Sequence, residues 1–277
     1  MRVLFLIVAA LTLSTAALAQ GSREAPAGGP DLPSWQLLLG EAQAALAAKP
    51  AEVPRDLLDA LPGDGRPVLV MPAFFAGDWE TEPLRAFLAT KGYAAYGWQL
   101  GPNLGPTDAI LYGIDKRLDD IRAEHGGAKV TLIGHSLGGV LARELAKKRP
   151  DAVRQLIVLT SPIHTPTASL LVPIYDLLSR WYSADAQELE AKLNEPPTVP
   201  VTAVYTRADG VIAWQSALES PGPRRENVEV AGAHVTMARN FDAWRVIVDR
   251  LRLGEGAWRP YRGAAEMKRA AAGGAPR

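Results

Sequence analysis

The stretch Gly134-His135-Ser136-Leu137-Gly138 reads G-x-S-x-G, and its flanks decide how it folds. Before it, Ala128-Lys129-Val130-Thr131-Leu132-Ile133 is a short, β-rich apolar run. After it, Gly139-Val140-Leu141-Ala142-Arg143-Glu144-Leu145-Ala146-Lys147-Lys148 has helical composition. A sharp strand-to-helix turn puts its serine in a strained backbone conformation with the hydroxyl presented, and small neighbours let the chains approach closely. A glycine-rich turn holding an ordinary serine needs neither the strand nor the helix. Here both are present, so Ser136 is read as a nucleophile.

A hydroxyl is a poor nucleophile until a positioned imidazole takes its proton, and the imidazole needs an orienting acid. On such an element the partners follow in the order serine, acid, histidine, each on a loop after a later strand. The chain has four histidines. His125, before Gly126-Gly127, reads as a helix-end residue. His135 lies inside the turn and cannot fold back onto its neighbour. His164 follows the strand-like Gln155–Thr160 and could line a cleft, but it precedes every plausible acid. His234 remains, after Asn227-Val228-Glu229-Val230 and the loop Ala231-Gly232-Ala233. For the acid, Pro200–Tyr205 reads as a strand and runs into Thr206-Arg207-Ala208-Asp209-Gly210. An Asp-Gly pair is first of all a turn signal, but its place one strand upstream of His234 selects Asp209. Asp242 follows the histidine and Asp185 lies in a helical insertion, so both are weaker.

These residues resemble those of the α/β-hydrolase superfamily, and within it the exported bacterial serine lipases and esterases. The likeness runs from about Pro67 to about Arg252. It rests on the serine turn, Thr-Arg-Ala-Asp-Gly, Gly-Ala-His, and Val68-Leu69-Val70-Met71-Pro72-Ala73-Phe74-Phe75 after an early strand. Many relatives carry His-Gly or Pro-Gly where this chain has Pro72-Ala73. The resemblance implies an oxyanion hole of backbone N–H groups, in which loop geometry matters more than side chains. Carried over residue by residue, its donors are Phe74 and Leu137. Phe75 then faces the substrate, core packing being the alternative for one of the two phenylalanines.

Composition agrees with a globular enzyme. The 277 residues suffice for one large α/β domain or two small ones. Apolar residues make up 48% and charged residues 22%, and the formal net charge is +0, which gives no electrostatic reason for nucleic acid as a partner. No metal-ligand spacing is evident, and the implied mechanism uses no cofactor. Arg2 precedes the apolar run Val3–Leu11, and Ala17-Leu18-Ala19 forms an A-x-A cleavage site. Residues 1–19 therefore read as a signal peptide, predicting a periplasmic or secreted product. The chain has no cysteine, which excludes disulfides and a lipid-anchored cysteine; a core of this size can stand without them.

Residues 20–33 read as a flexible linker, 34–258 as the α/β-hydrolase domain and 259–277 as a disordered tail. An Ala-rich helix is expected over Leu37–Ala48 and a shorter one over Arg55–Leu61, before the turn at Gly63-Asp64-Gly65-Arg66-Pro67. Tyr93–Trp98 reads as a strand, and Asp108 as the cap of a helix with Ile110, Ile114, Leu118 and Ile121 on one face. Phe241, Trp244, Ile247, Val248 and Leu251 stripe a closing helix. Alternating strands and helices predict a mostly parallel sheet covered on both faces.

Residues 165–197 break that alternation, since two to six residues usually suffice for such a connection. Leu170, Leu171, Ile174, Leu177, Leu178 and Trp181 form an apolar helical face, and Ala186–Leu193 a second, charged helix. In the resembled superfamily this place holds a cap or lid; a fixed helical hairpin is the other reading. Either would wall the substrate site, with Leu177 and Trp181 against an acyl chain and a transient contact with a membrane surface. Asn103, between Gly-Pro pairs in Gly101–Pro106, could meet substrate but is more typical of a turn. The expectation is hydrolysis of a lipid-like or other apolar acyl ester through an acyl-enzyme. An exported acyltransferase with the same triad, or a non-catalytic binding protein of this fold, are the alternatives.

Overall fold

The apolar runs pair into a single sheet in the computed structural model, which describes residues 30–48, 52–60, 62–165 and 167–263. Strands β1 (Pro67–Met71), β2 (Ala94–Gly97), β3 (Val130–His135), β4 (Val153–Leu159), β5 (Val201–Tyr205) and β6 (Arg225–Glu229) are all parallel. Their spatial order is β2-β1-β3-β4-β5-β6. The helices are α1 (Trp35–Ala47), α2 (Arg55–Leu58), α3 (Asp78–Thr90), α4 (Asp108–Glu124), α5 (Leu137–Lys148), α6 (Val172–Leu178), α7 (Asp185–Ala191) and α8 (Phe241–Arg252). This is the α/β-hydrolase fold.

The strands are apolar throughout because both faces of the sheet are covered. Val68, Val70, Ile133, Ile157 and Leu159 point to one side, where Leu84, Phe87 and Leu88 of α3 meet Trp244, Ile247 and Leu251 of α8. Leu69, Met71, Leu132, Leu156 and Val158 point to the other, against Ile110, Ile114 and Leu118 of α4 and Leu141 and Leu145 of α5. Each such aliphatic side chain, fully buried, contributes about 1.5–3 kcal/mol.

Local chemistry sets the helix ends. Thr107, not Asp108, caps α4: its Oγ1 accepts the Ile110 N–H at 3.3 Å, and Asp108 sits in the first turn beside the positive end of the helix. Asn240 caps α8 by accepting from Asp242 and Ala243 at 2.8 and 3.0 Å.

The predicted 165–197 helices appear as α6, a 3₁₀ turn at Ser179–Trp181, and α7. The start of this insertion is clipped to the loop after β5, with Ala213 N–H donating to Ala168 O at 2.7 Å and Leu170 N–H to Val211 O at 3.0 Å. Of the expected tail, residues 259–263 contact the body: Tyr261 N–H donates to Glu226 at 2.6 Å, and Arg259 pairs with Asp249 at 3.1 Å. The predicted signal peptide, the linker up to residue 29 and the tail from 264 onward lie outside the described residues. No helix among the described residues is long and apolar enough to cross a membrane.

Candidate active site

Ser136 lies between β3 and α5 with φ 53° and ψ −123°, a conformation that strains any residue with a Cβ. The turn persists because its surroundings leave no alternative. A Cβ on Gly134 would collide with the backbone of Gly138 and Gly139, and one on Gly138 with the carbonyl oxygens of Met71 and Pro72. The second of these approaches brings the start of α5 against the loop that follows β1.

Three strand ends then deliver three side chains to one place, the carboxyl edge where open parallel sheets hold ligands. Ser136 Oγ lies 3.0 Å from His234 Nε2, and His234 Nδ1 lies 2.8 Å from Asp209 Oδ2. The other Asp209 oxygen accepts the N–H groups of Val211 and Ile212, each at 2.9 Å, which fixes the carboxylate. All three residues are buried, with Ser136 only 4% exposed. Burial disfavours a charged imidazole, but the carboxylate of Asp209, with Glu41 and Glu80 further away, raises the His234 pKa above the ordinary 6.5. The predicted serine, acid and histidine are thus brought together. Asp242 instead pairs with Arg245 at 2.6 Å, and Asp185 is exposed in the first turn of α7.

Two buried carboxylates surround this chain, and neither is evident in the sequence. Glu80 of α3 accepts from His135 Nδ1 and, through its other oxygen, from Ala73 N–H at 2.9 Å. His135 Nε2 donates to the carbonyl oxygen of His234 at 2.9 Å. Burial opposes charge on Glu80, yet the His135 ring beside it holds the carboxyl below its usual range. Glu41 of α1 accepts from Gly210, His234 and Val235.

Ala73 and Phe75 have their N–H groups engaged, by Glu80 and by the Asn103 carbonyl at 2.8 Å. Among the described residues the intervening Phe74 N–H and the Leu137 N–H at the head of α5 have no protein acceptor. Asn103 is fully buried, and its amide donates to Pro72 O at 2.8 Å while its backbone N–H donates to Ala76 O at 2.7 Å. It therefore pins the loop rather than merely turning the chain.

The rings of Phe74 and Phe75 stack at 4.1 Å, and neither belongs to the sheet core. Tyr175 of α6 meets Phe74 edge-on at 6.1 Å and Tyr182 at 4.8 Å. Burial pushes the Tyr175 hydroxyl up to about 12 and raises Tyr182 as well. Leu177 and Trp181, expected at the site, are 55% and 58% exposed, and the Trp181 ring lies under Arg180. One helical turn brings Tyr175 inward and these two outward. His125 contacts the Tyr96 hydroxyl at 2.9 Å, and His164 that of Ser220 at 2.8 Å, both away from Ser136. Among the described residues no group of three or more His, Cys, Asp or Glu is arranged to hold a metal ion.

A family model described as serine aminopeptidase, S33, matches residues 103–215, which include the serine turn and Asp209. The match spans less than half of the chain and agrees with the fold described above. The chain is similar to several solved structures. The monoacylglycerol lipase of Paleococcus ferrophilus is 18% identical, with 68% of this chain and 95% of that one covered and a TM-score of 0.49. For a putative aryl esterase from Burkholderia cenocepacia the values are 16%, 69%, 92% and 0.49. For the mouse α/β-hydrolase domain-containing protein 10 they are 18%, 69%, 90% and 0.46. No curated protein matches the chain.

Proposed function

We propose that this hydrolase cleaves carboxylic esters of apolar acyl groups through an acyl-enzyme on Ser136. The observation that carries this reading is the continuous hydrogen-bonded chain from Ser136 Oγ through His234 to Asp209. Ser136 attacks the ester carbonyl while His234 takes its proton, and Asp209 holds the imidazole in the required tautomer. The N–H groups of Phe74 and Leu137 receive the negative charge that develops on the carbonyl oxygen. His234 then returns the proton to the departing alcohol, and water repeats the cycle on the acyl-serine.

The resemblance to an aminopeptidase family raises peptide bonds as the other substrate. Holding a free peptide N-terminus takes a carboxylate with an available oxygen. Asp209, Glu41 and Glu80 are buried and bonded through both oxygens to groups of the protein, which favours an uncharged ester. Phe74, Phe75 and Tyr175 supply an aromatic wall for the acyl chain. Because Ser136 is nearly covered, the side chains around it must part to admit substrate, and the 165–197 insertion serves as the cap that does so. We further propose export, on the strength of Arg2, the apolar run and the Ala17-Leu18-Ala19 site; a mature N-terminus at Gln20 in periplasmic protein tests it.

Turnover of p-nitrophenyl esters of increasing acyl length tests the function. Ser136→Ala is expected to lose roughly a millionfold in kcat and Asp209→Asn roughly 10,000-fold, with Asp242→Asn unaffected. Substantial activity in Ser136→Ala overturns the reading.

A further inference from the structure

The loops carrying Asp209 and His234 leave the ends of β5 and β6, and beyond the strands Thr206 Oγ1 donates across them to Gly232 O at 2.9 Å. Glu41 supplies the rest of the connection. One of its oxygens accepts the Gly210 N–H at 2.9 Å and the His234 N–H at 2.8 Å; the other accepts the Val235 N–H at 2.9 Å. Gly210 adjoins the acid, and His234 is the base itself. A single carboxylate therefore grips both loops at the residues that must keep their distance.

The way α1 docks points the same way. A helix held for stability alone buries an apolar stripe. The fully buried side chain of α1 is Glu41, while Trp35, Leu39 and Leu46 are exposed. Close approach is also built into the partner loop: a Cβ on Gly210 would collide with the Leu37 carbonyl oxygen and lie 2.8 Å from Glu41 Cγ.

We propose that Glu41 is a positioning residue of the active site, locking the acid loop to the base loop and placing a negative charge behind the imidazole. The proposal rests on the triad reading above. The titratable groups facing His234 are Asp209 from the β5 loop, Glu41 from α1, and Glu80 from α3 through His135 of β3. Removing one negative charge from this set weakens the protonated ring, and the Glu41 carboxylate is among the groups that raise His234. Catalysis uses the neutral ring, so the acid limb of kcat/KM moves to lower pH when that charge is lost.

The test is the pH profile of kcat/KM for Glu41→Gln, Glu41→Asp and the unaltered enzyme. Glu41→Gln is expected to lose up to about 100-fold in kcat, as a misplaced base does, with its acid limb shifted to lower pH. Glu41→Asp keeps the charge and is expected to lose turnover with its limb in place. An unmoved limb in Glu41→Gln overturns the proposal, whatever happens to kcat. If Glu41→Gln does not fold, Gly210→Ala carries the test by pushing α1 off the loop; reduced kcat and a limb at lower pH support the proposal, and an unchanged profile overturns it. An unaltered enzyme inert to every ester instead overturns the triad reading.

Discussion

His135 Nε2 lies 2.9 Å from the carbonyl oxygen of His234, so the residue beside the proposed nucleophile holds the backbone of the proposed base. The other face of that ring is anchored on Glu80, which also fixes Ala73 in the loop carrying Phe74. One buried pair thus links the nucleophile turn, the base loop and the proposed oxyanion loop.

Replacing His135 by alanine leaves Glu80 buried without its partner. Breaking a buried ion pair from one side costs about 3–5 kcal/mol. Urea unfolding of His135→Ala is expected to show a loss of that order, and a stability within 0.5 kcal/mol of the unaltered protein would mean that the pair is not formed.

Activity should fall on acidification earlier than for an ordinary histidine base. The His234 pKa is raised because nearby carboxylates outweigh burial, and only its neutral form accepts the serine proton. The acid limb of kcat/KM is therefore expected above pH 6.5, the ordinary value, and a limb below it contradicts this electrostatic account.

The acyl wall is expected to respond to Tyr175 and not to Trp181. Each methylene withdrawn from water is worth about 0.8 kcal/mol, roughly fourfold in kcat/KM. Tyr175→Ala should flatten the rise of kcat/KM with acyl length on soluble esters, because Tyr175 faces Phe74. Trp181→Ala should leave that rise unchanged, since the ring is exposed. The reverse pattern would place the acyl chain on the outer face of α6.

The sheet was legible because its strands are continuous apolar runs, and the serine turn because its glycines sit where only glycine fits. Spacing and order alone led to Asp209 and His234, which the fold brings within hydrogen-bonding distance. Contacts made across long separations were not legible. Glu41 reaches Gly210 and His234 from 169 and 193 residues away, and within an Ala-rich helix it looks like an ordinary solvated residue. Asn103 has turn composition, and only the fold reveals its bond to Pro72. For Leu177 and Trp181 the apolar stripe was real, but a stripe alone does not say which side meets the protein.

The most direct test of the central claim is to trap the covalent intermediate. Mixing the enzyme with an activated medium-chain ester and quenching in acid should leave one acyl group on the peptide containing Ser136, seen by mass spectrometry and absent in Ser136→Ala. Steady ester turnover with no acylated Ser136, and undiminished in Ser136→Ala, would contradict the account.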